Sequence, residues 1–243
     1  MGPLLSIIIP AYDEEERLPS TIQKILDFID RQDFDVELLV IDNGSRDRTA
    51  AIVREAAREH SNVFLYQEAT AGKGLAVRRG MLQAIGEFRF ICDADLSMPI
   101  DEVLKFLPPR LENIDIAIGS REAPGAVRHD EPLYRHWVGR AFNALVGLIA
   151  VRGFKDTQCG FKCFRAAVAD DLFGVQQLDG WTFDVEVLFI ALKRGYSVVE
   201  VPINWYFFPS SRIRVFRDSI NMFLDLFRIR RNWQEKKYIR QDR

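Results

Sequence analysis

"FRFICDADLSMP", residues 88–99, carries Phe90, Ile91 and Cys92 toward a core and then stops at Asp93 and Asp95, with one residue between them. In an extended segment, residues two apart point to the same side. Both carboxylates therefore face one small volume. So close together they repel, unless a cation sits between them. Carboxylate oxygens with spare positions suit Mg2+ or Mn2+, and such an ion would also hold a substrate phosphate. The competing reading is a polar strand end that caps the next helix, and an isolated pair of this kind leaves both open.

Reading outward from this stretch decides the fold class. "LLSIIIPAY", "VELLVIDNGS", "NVFLYQ", "EFRFICD" and "IDIAIGSR" are short β-branched or aromatic runs, read as five strands. Between them lie helical patterns. "EEERLPSTIQKILDFID" spaces Leu18, Ile22, Ile25, Leu26 and Ile29 along one face; "RDRTAAIVREAAREH" follows Ser45 as its expected N-cap; "AGKGLAVRRGMLQAI" opens on glycines. Alternation of this kind predicts an α/β fold with a mostly parallel sheet and helices on both faces. Ligands of such sheets bind beyond the carboxyl ends of the strands. Asp13, Glu14, Asp42, Asp93, Asp95 and Arg121 all fall there. The Gly72-Lys73-Gly74 turn either offers backbone N–H groups to an anion or is a flexible connection. It lacks the spacing of a Walker motif. Asp42 either accepts hydrogen bonds from a base or ribose or starts a turn.

After Arg121 the alternation weakens. A charged loop, "AVRHDEPLYRHW", leads to "WVGRAFNALVGLIAV", residues 137–151, which is too short and too interrupted by Arg140 to span a bilayer and reads as a buried or interfacial helix. "DTQCGFKCFR", "GWTFDVEVLFIALKRG" and a strand pair in "YSVVEVPINWYF" follow. Trp181, Trp205 and Phe207 are expected in the core, and His60, His129 and His136 are too scattered for a metal or a base. Net charge is only −2, but residues 212–243 hold ten Lys or Arg against four Asp or Glu. This basic end carries no nucleic-acid motif. Read as an amphipathic helix, it would rest on an anionic membrane with Phe216, Met222, Phe223, Leu226 and Phe227 toward lipid or protein. Cys92, Cys159 and Cys163 cannot all pair and have no zinc spacing, so free thiols and a reducing, cytosolic compartment are expected.

Taken together, "SIIIPAYDEEERL", "VIDNGSRDRT", "AGKGLAVRRGM" and "DADLS" occur in the order and spacing of the GT-A, family 2, inverting glycosyltransferases, which the chain resembles over about residues 4–230. The later "GSR", "DTQCGFKCF", "GWTFDVEVLFIA" and "SRIRVFRDS" look most like the branch that makes polyprenyl-phosphate sugars, the dolichyl-phosphate β-glucosyltransferases above all. The resemblance implies a GT-A fold at residues 1–210. Residues 1–121 would bind nucleotide sugar, residues 122–210 would meet the acceptor, and residues 211–243 would form the basic helical tail. It implies that Pro10, Ala11, Tyr12 and Glu14 form the nucleotide loop, that Asp42 reads the base, and that Lys73 lies beside the phosphates. It implies Asp95 as the direct metal ligand, Asp93 on ribose or metal, Arg121 and Arg135 on phosphate oxygens, Gln158 near acceptor and donor sugar, and Asp184 in the place of the base. Two positions depart from the pattern: Asp13 stands where the family has asparagine, and Ser97 where mannosyl relatives carry glutamine near the metal.

The implied reaction moves a hexose, glucose from UDP-glucose first among them, onto a polyprenyl (dolichyl) monophosphate with inversion. Arg212 and Arg214 are candidates for the acceptor phosphate. The implied setting is the cytoplasmic face of a membrane, with a transmembrane partner as a possible anchor. Alternatives are a GDP-mannose-dependent polyprenyl-phosphate mannosyltransferase, a family 2 transferase acting on a saccharide hydroxyl, and a nucleotide-sugar-binding or adaptor module without turnover.

Overall fold

A computed structural model describes residues 2–208 and 215–239. Nine strands and seven α-helices occur among them, with a 3-10 helix at Ile100–Phe106. β1 (Leu5–Ala11), β2 (Val36–Asp42) and β3 (Val63–Gln67) alternate with α1 (Leu18–Ile29) and α2 (Thr49–Glu59). α3 (Lys73–Gln83) leads into β4 (Phe88–Ile91), and β5 (Ile116–Ser120) follows the 3-10 helix. The second half contributes β6 (Val127–His129), α4 (Leu133–Ile149), β7 (Lys162–Arg165), α5 (Ala166–Phe173), α6 (Phe183–Arg194), β8 (Val198–Pro202), β9 (Asn204–Tyr206) and α7 (Val215–Gln234).

The main sheet has seven strands in the order β3-β2-β1-β4-β7-β5-β8. Every neighbouring pair is parallel except those made by β7, which runs antiparallel to both β4 and β5. The expected strand pair in residues 196–207 does not form. β8 completes the main sheet beside β5, and β9 pairs with β6 in a separate two-stranded ribbon. Pro202 and Ile203 carry the chain off the sheet between them, and the Val127 N–H bonds to the Ile203 carbonyl as the ribbon begins.

Alternate residues of β1 show why its run is continuously apolar. Leu5, Ile7 and Ile9 pack in one core with Leu18, Ile22, Ile25 and Phe28 of α1, while Ile8 packs in the other with Ala76, Val77 and Met81 of α3. A strand covered on both faces needs no polar side. α5 and α6 extend the second core, which also takes Leu226 and Ile229 of α7. Met222 and Leu226 therefore face the protein body, whereas Phe223 and Phe227 point outward. The Phe216 side chain lies outside what is described. Helical periodicity places residues 222, 226 and 229 on one stripe and 220, 223, 224 and 227 nearly opposite.

Ser45 is not the N-cap of α2. Its N–H donates to Asp42 Oδ1 at 3.1 Å, and its hydroxyl accepts the Asp13 N–H at 3.0 Å, so it ties the first two strand exits together. α2 starts four residues later, where Asp47 accepts from the Thr49 N–H and hydroxyl. These bonds to the ionised form hold the Asp47 carboxyl below its ordinary range, against the opposing pull of burial.

Candidate active site

The carboxyl ends of β1, β2, β4 and β5 form one rim, and the entry to β7 reaches the same rim because that strand runs the other way. Pro10 and Ala11 close β1, and the Ala11 carbonyl accepts the Asn43 N–H at 2.8 Å. Tyr12 is half-buried at the exit. Asp13, at φ 51°, turns the loop and accepts the Arg46 N–H. Glu14 is buried and gripped by Arg17, with both carboxylate oxygens engaged at 2.7 Å. Asp42 is buried at the end of β2, bound by Gln67 Nε2 and the Ser45 N–H. Glu14 and Asp42 thus help to shape the loops of the rim.

At the centre lie alternating charges. Lys73 Nζ, in the first turn of α3, donates to Asp93 Oδ1 at 2.8 Å. Lys162 Nζ, at the start of β7, lies 2.8 Å from Asp184 Oδ1 in the first turn of α6 and also donates to the Cys159 carbonyl. Arg121 forms a two-pronged pair with Asp156, at 2.6 and 2.8 Å. Asp95 is held differently: its Oδ1 accepts from the Ser97 N–H and hydroxyl, and Oδ2 has no donor among the described residues. Ser97, the departure from the mannosyl pattern, therefore orients Asp95.

Electrostatics separates the two aspartates of the opening motif. Burial pushes both carboxyls up. At Asp93 the cations Lys73, Lys162 and Arg121 outweigh it and hold the carboxyl below its ordinary range. At Asp95 the nearby Asp93 charge adds to burial, and the carboxyl sits above its ordinary range despite Ser97. Asp184 is also raised, by burial, with Lys162 and Lys73 opposing. Burial lowers Lys73, but Asp93, Asp184 and Asp95 together leave it raised and firmly protonated. Asp95 thus makes no ion pair among the described residues, its carboxyl stays raised although Arg17 opposes, and a cation placed there would relieve it.

The Arg121–Asp156 pair has a measurable consequence. Burial alone would raise Asp156, but Arg121 brings its carboxyl down to about 2. A carboxylate with a depressed folded-state pKa stabilises the fold above its unfolded value near 3.8 and loses that contribution as pH falls toward 2. The shift corresponds to about 2 kcal/mol at neutral pH. Asp156→Asn should lower unfolding stability by that order in urea titrations at pH 7, and the deficit should shrink steadily below pH 4.

The "DTQCG" loop presses on the motif. Gln158 is half-buried, its N–H bonded to Asp156 Oδ1. A Cβ on Gly160 would lie 1.9 Å from Asp93 Oδ2 and 2.5 Å from its Cγ. No side chain fits there without driving Asp93 from Lys73. Gly160→Ala should therefore cut turnover on the order of 100-fold, read as kcat, with a small change in melting temperature. Unchanged kcat would show that Asp93 placement does not matter. At the start of α3, Gly72 donates to Asn43 Oδ1 and Leu75 to the Asp179 carbonyl. Those amides hold protein contacts, and Lys73 carries the positive charge of the turn.

Arg212 and Arg214 lie outside the described residues. Arg135 lies in the third residue of α4, but its side chain lies outside the description. Sequence reasoning missed Lys162, Asp156 and Gly160. A lysine inside the apolar run "CGFKCFR" was the available signal, since a buried cation requires a buried anion. Trp181 is half-buried outside both cores, with Lys73 Nζ 5.2 Å from its ring centre, while Trp205 packs half-buried against the first core with the Arg121 guanidinium 5.4 Å from its ring centre. Cys159 and Cys163 are buried, with thiols pushed up to about 12 by burial, and Cys92 is buried with its thiol raised well above the usual value.

Residues 6–173 match the family model described as glycosyl transferase family 2. A dolichyl-phosphate beta-glucosyltransferase of Drosophila melanogaster is 35% identical over 240 residues, 93% of this chain and 74% of the relative. That of Homo sapiens is 30% identical over 245 residues, again 93% and 74%. Among solved structures, glucosyl-3-phosphoglycerate synthase from Mycobacterium tuberculosis, in complex with Mn2+ and UDP-glucose, superposes with a TM-score of 0.64 at 17% identity. The match covers 93% of this chain and 79% of the synthase. The same synthase with phosphoglyceric acid gives 0.67 at 18% identity, covering 94% and 80%. The family match over most of the sheet, relatives above 30% identity and the fold of the solved structures agree: the chain belongs to glycosyl transferase family 2 and is a glycosyltransferase of GT-A fold.

Proposed function

We propose that this glycosyltransferase moves glucose from UDP-glucose to a polyprenyl (dolichyl) monophosphate with inversion at the anomeric carbon. The observation that carries the reading is the unequal pair at the end of β4: Asp93 is neutralised by Lys73, and Asp95 is oriented by Ser97, without an ion pair among the described residues and with its carboxyl raised although Arg17 opposes. That donor set fits Mg2+ or Mn2+, hard ions that accept carboxylate and phosphate oxygens together. Asp95 would hold the ion, with Asp93 beside it. Bound there, the ion would supply charge neutralisation for the departing diphosphate. Similarity to the dolichyl-phosphate beta-glucosyltransferases supports the sugar and the lipid, and the synthase complex with Mn2+ and UDP-glucose is consistent with the donor.

The protein's own residues do the rest. The Tyr12–Glu14 loop and Asp42 seat the nucleoside, and Lys73 stands beside its phosphates. Gln158 sits where the donor sugar and acceptor meet. An acceptor phosphate oxygen forms the bond to the anomeric carbon, while the carbon–oxygen bond to UDP breaks and its electron pair leaves with UDP. A phosphate monoester with a second pKa near 6 is already largely ionised at neutral pH, so no proton need be removed. Asp184, paired with Lys162, is then an orienting carboxylate for a sugar hydroxyl or for the acceptor. Arg121, Arg135, Arg212 and Arg214 are the proposed phosphate contacts, the planar guanidinium being suited to paired oxygens.

No helix of the described residues is long and apolar enough to cross a membrane. Contact with a membrane surface is proposed instead, on its cytoplasmic face, with a transmembrane partner subunit as a candidate anchor. α4 turns Tyr134, Trp137, Val138, Leu145 and Leu148 to solvent, all on one face at helical spacing. α7 does the same with Ile220, Phe223, Leu224 and Phe227. An outward apolar stripe with charges beside it suits the headgroup layer.

The test is transfer itself. Purified protein is given UDP-glucose, GDP-mannose or UDP-N-acetylglucosamine, with a short polyprenyl phosphate or the corresponding free alcohol, and products are weighed by mass spectrometry. Glucosyl phosphoprenol from UDP-glucose alone is the expected product. Product only from GDP-mannose, or only with a hydroxyl acceptor, would overturn the assignment.

A further inference from the structure

Away from the rim, the end of α4, the last turns of α6 and the C-terminal half of α7 enclose a groove of about 430 Å3. Its polar lining is one-signed. Arg152, Lys193 and Arg230 line it together with Gln234, and no acidic side chain among the described residues does. The rest is apolar: Leu148, Leu192, Phe189 and Trp233 line the same space, and Leu148 is 69% exposed. Three cations at the C-terminal ends of helices have an ordinary explanation, since the last carbonyls carry partial negative charge. Arg230 fits that explanation, for its Nη1 donates to the Ile149 carbonyl at 3.3 Å. Lys193 fits it by its place in the last turn of α6, but neither it nor Arg152 has a carboxylate partner among the described residues. Arg152 is exposed beyond the end of α4 and has no partner among the described residues. Lys193 Nζ is held over the rings of Phe189 and Trp233, 5.7 and 5.9 Å from their centres, with no carboxylate among the described residues.

A cationic pocket with an apolar wall matches one chemistry: a phosphate on a hydrocarbon. Arginine and lysine hold the phosphate oxygens, and Leu148, Leu192 and Trp233 lie beside the first methylenes, an indole at the level of the headgroups being its preferred place. Leu148 also ends the outward stripe of α4, so the groove opens where that stripe would meet lipid. We propose that this groove binds the headgroup of an anionic phospholipid of the membrane, as a site separate from the one that takes the acceptor. The proposal rests on the membrane-surface reading above and adds to it a lipid selectivity. It fixes how α4 and α7 lie on the bilayer, because one end of the apolar face is pinned by charge.

The test is flotation of the full chain with vesicles of phosphatidylcholine alone and of phosphatidylcholine containing phosphatidylinositol. Wild type should bind the anionic vesicles at least tenfold more tightly. Arg152→Glu with Lys193→Glu should remove most of that preference, at roughly fivefold for each cation lost and more for reversal. Binding to neutral vesicles should be unchanged. Lys24→Glu with Arg58→Glu makes the same change in net charge on α1 and α2 and should keep the preference. Glucosyl transfer to a detergent-solubilised acceptor should be unaffected in the groove variant, which also establishes that it folds. Equal loss in both double variants would mean a diffuse charge effect and would overturn the site. So would saturable binding of inorganic phosphate without lipid that the groove variant abolishes, since the ligand would then be a soluble phosphate. Failure of wild type to bind any vesicle defeats the membrane reading itself; binding to both kinds equally defeats only the groove.

Discussion

Asp95→Ala is expected to lower kcat on the order of 1000-fold with an intact fold, the scale of losing a charge that stabilises a leaving group inside a site. The side chain is committed on one oxygen to Ser97 and open on the other, so its removal breaks no ion pair. It should even relieve some repulsion from Asp93, because that neighbour is part of what raises the Asp95 carboxyl. Thermal stability should therefore hold or rise slightly while turnover collapses. The checks are single-turnover transfer from UDP-glucose and a melting curve. Excess chelator should reduce wild type to the same floor, and Mn2+ should restore it only when Asp95 is present. Full activity of Asp95→Ala in chelator would remove the divalent ion from the account.

Lys162→Met is expected to act on stability first. Lys162 and Asp184 are among the least exposed charges in the molecule, with 2% and 7% of their side-chain surfaces accessible. Taking one partner from such a pair strands the other charge in a medium that solvates it poorly, which costs about 3–5 kcal/mol. For a chain of this size that is a fall in melting temperature of about 10 °C. Lys73 softens the loss, since it also acts on Asp184. Adding Asp184→Asn should return most of the lost stability because no charge is left stranded, yet transfer should remain impaired. The two readouts then part company, as expected if the pair matters for chemistry beyond folding. If both recover together in the double variant, Asp184 has no role in the reaction.

Much of the architecture was legible from local patterns. The runs ending at Pro10, Asp42 and Asp95 had strand lengths and apolar character because those strands are covered on both faces, and their polar exits marked the rim. α1 was legible because Leu18, Ile22 and Ile25 repeat along one face. What escaped depends on distant partners. Nothing near Lys162 in sequence shows that Asp184 lies against it. Ser45 looked like a helix cap because its loop partner Asp13 is 32 residues away. Met222 and Leu226 read equally well as lipid-facing, since an amphipathic pattern does not say which apolar stripe meets the body. Trp181 looked like a core residue, whereas it stands outside both cores with Lys73 against its ring.

The reversed β7 has a consequence for how the polypeptide matures. It wedges between β4 and β5, so strands around residues 90 and 118 are joined only through one that begins at residue 162. Until that segment has been synthesised, β4 and β5 each present a bare row of amide and carbonyl groups, a template for pairing with other chains. A fragment halted after Arg121 would hold nearly all of the rim loops of the first four strands yet be prone to aggregate. A nascent chain of this protein should therefore need shielding by holdase chaperones until the middle of the sheet is filled.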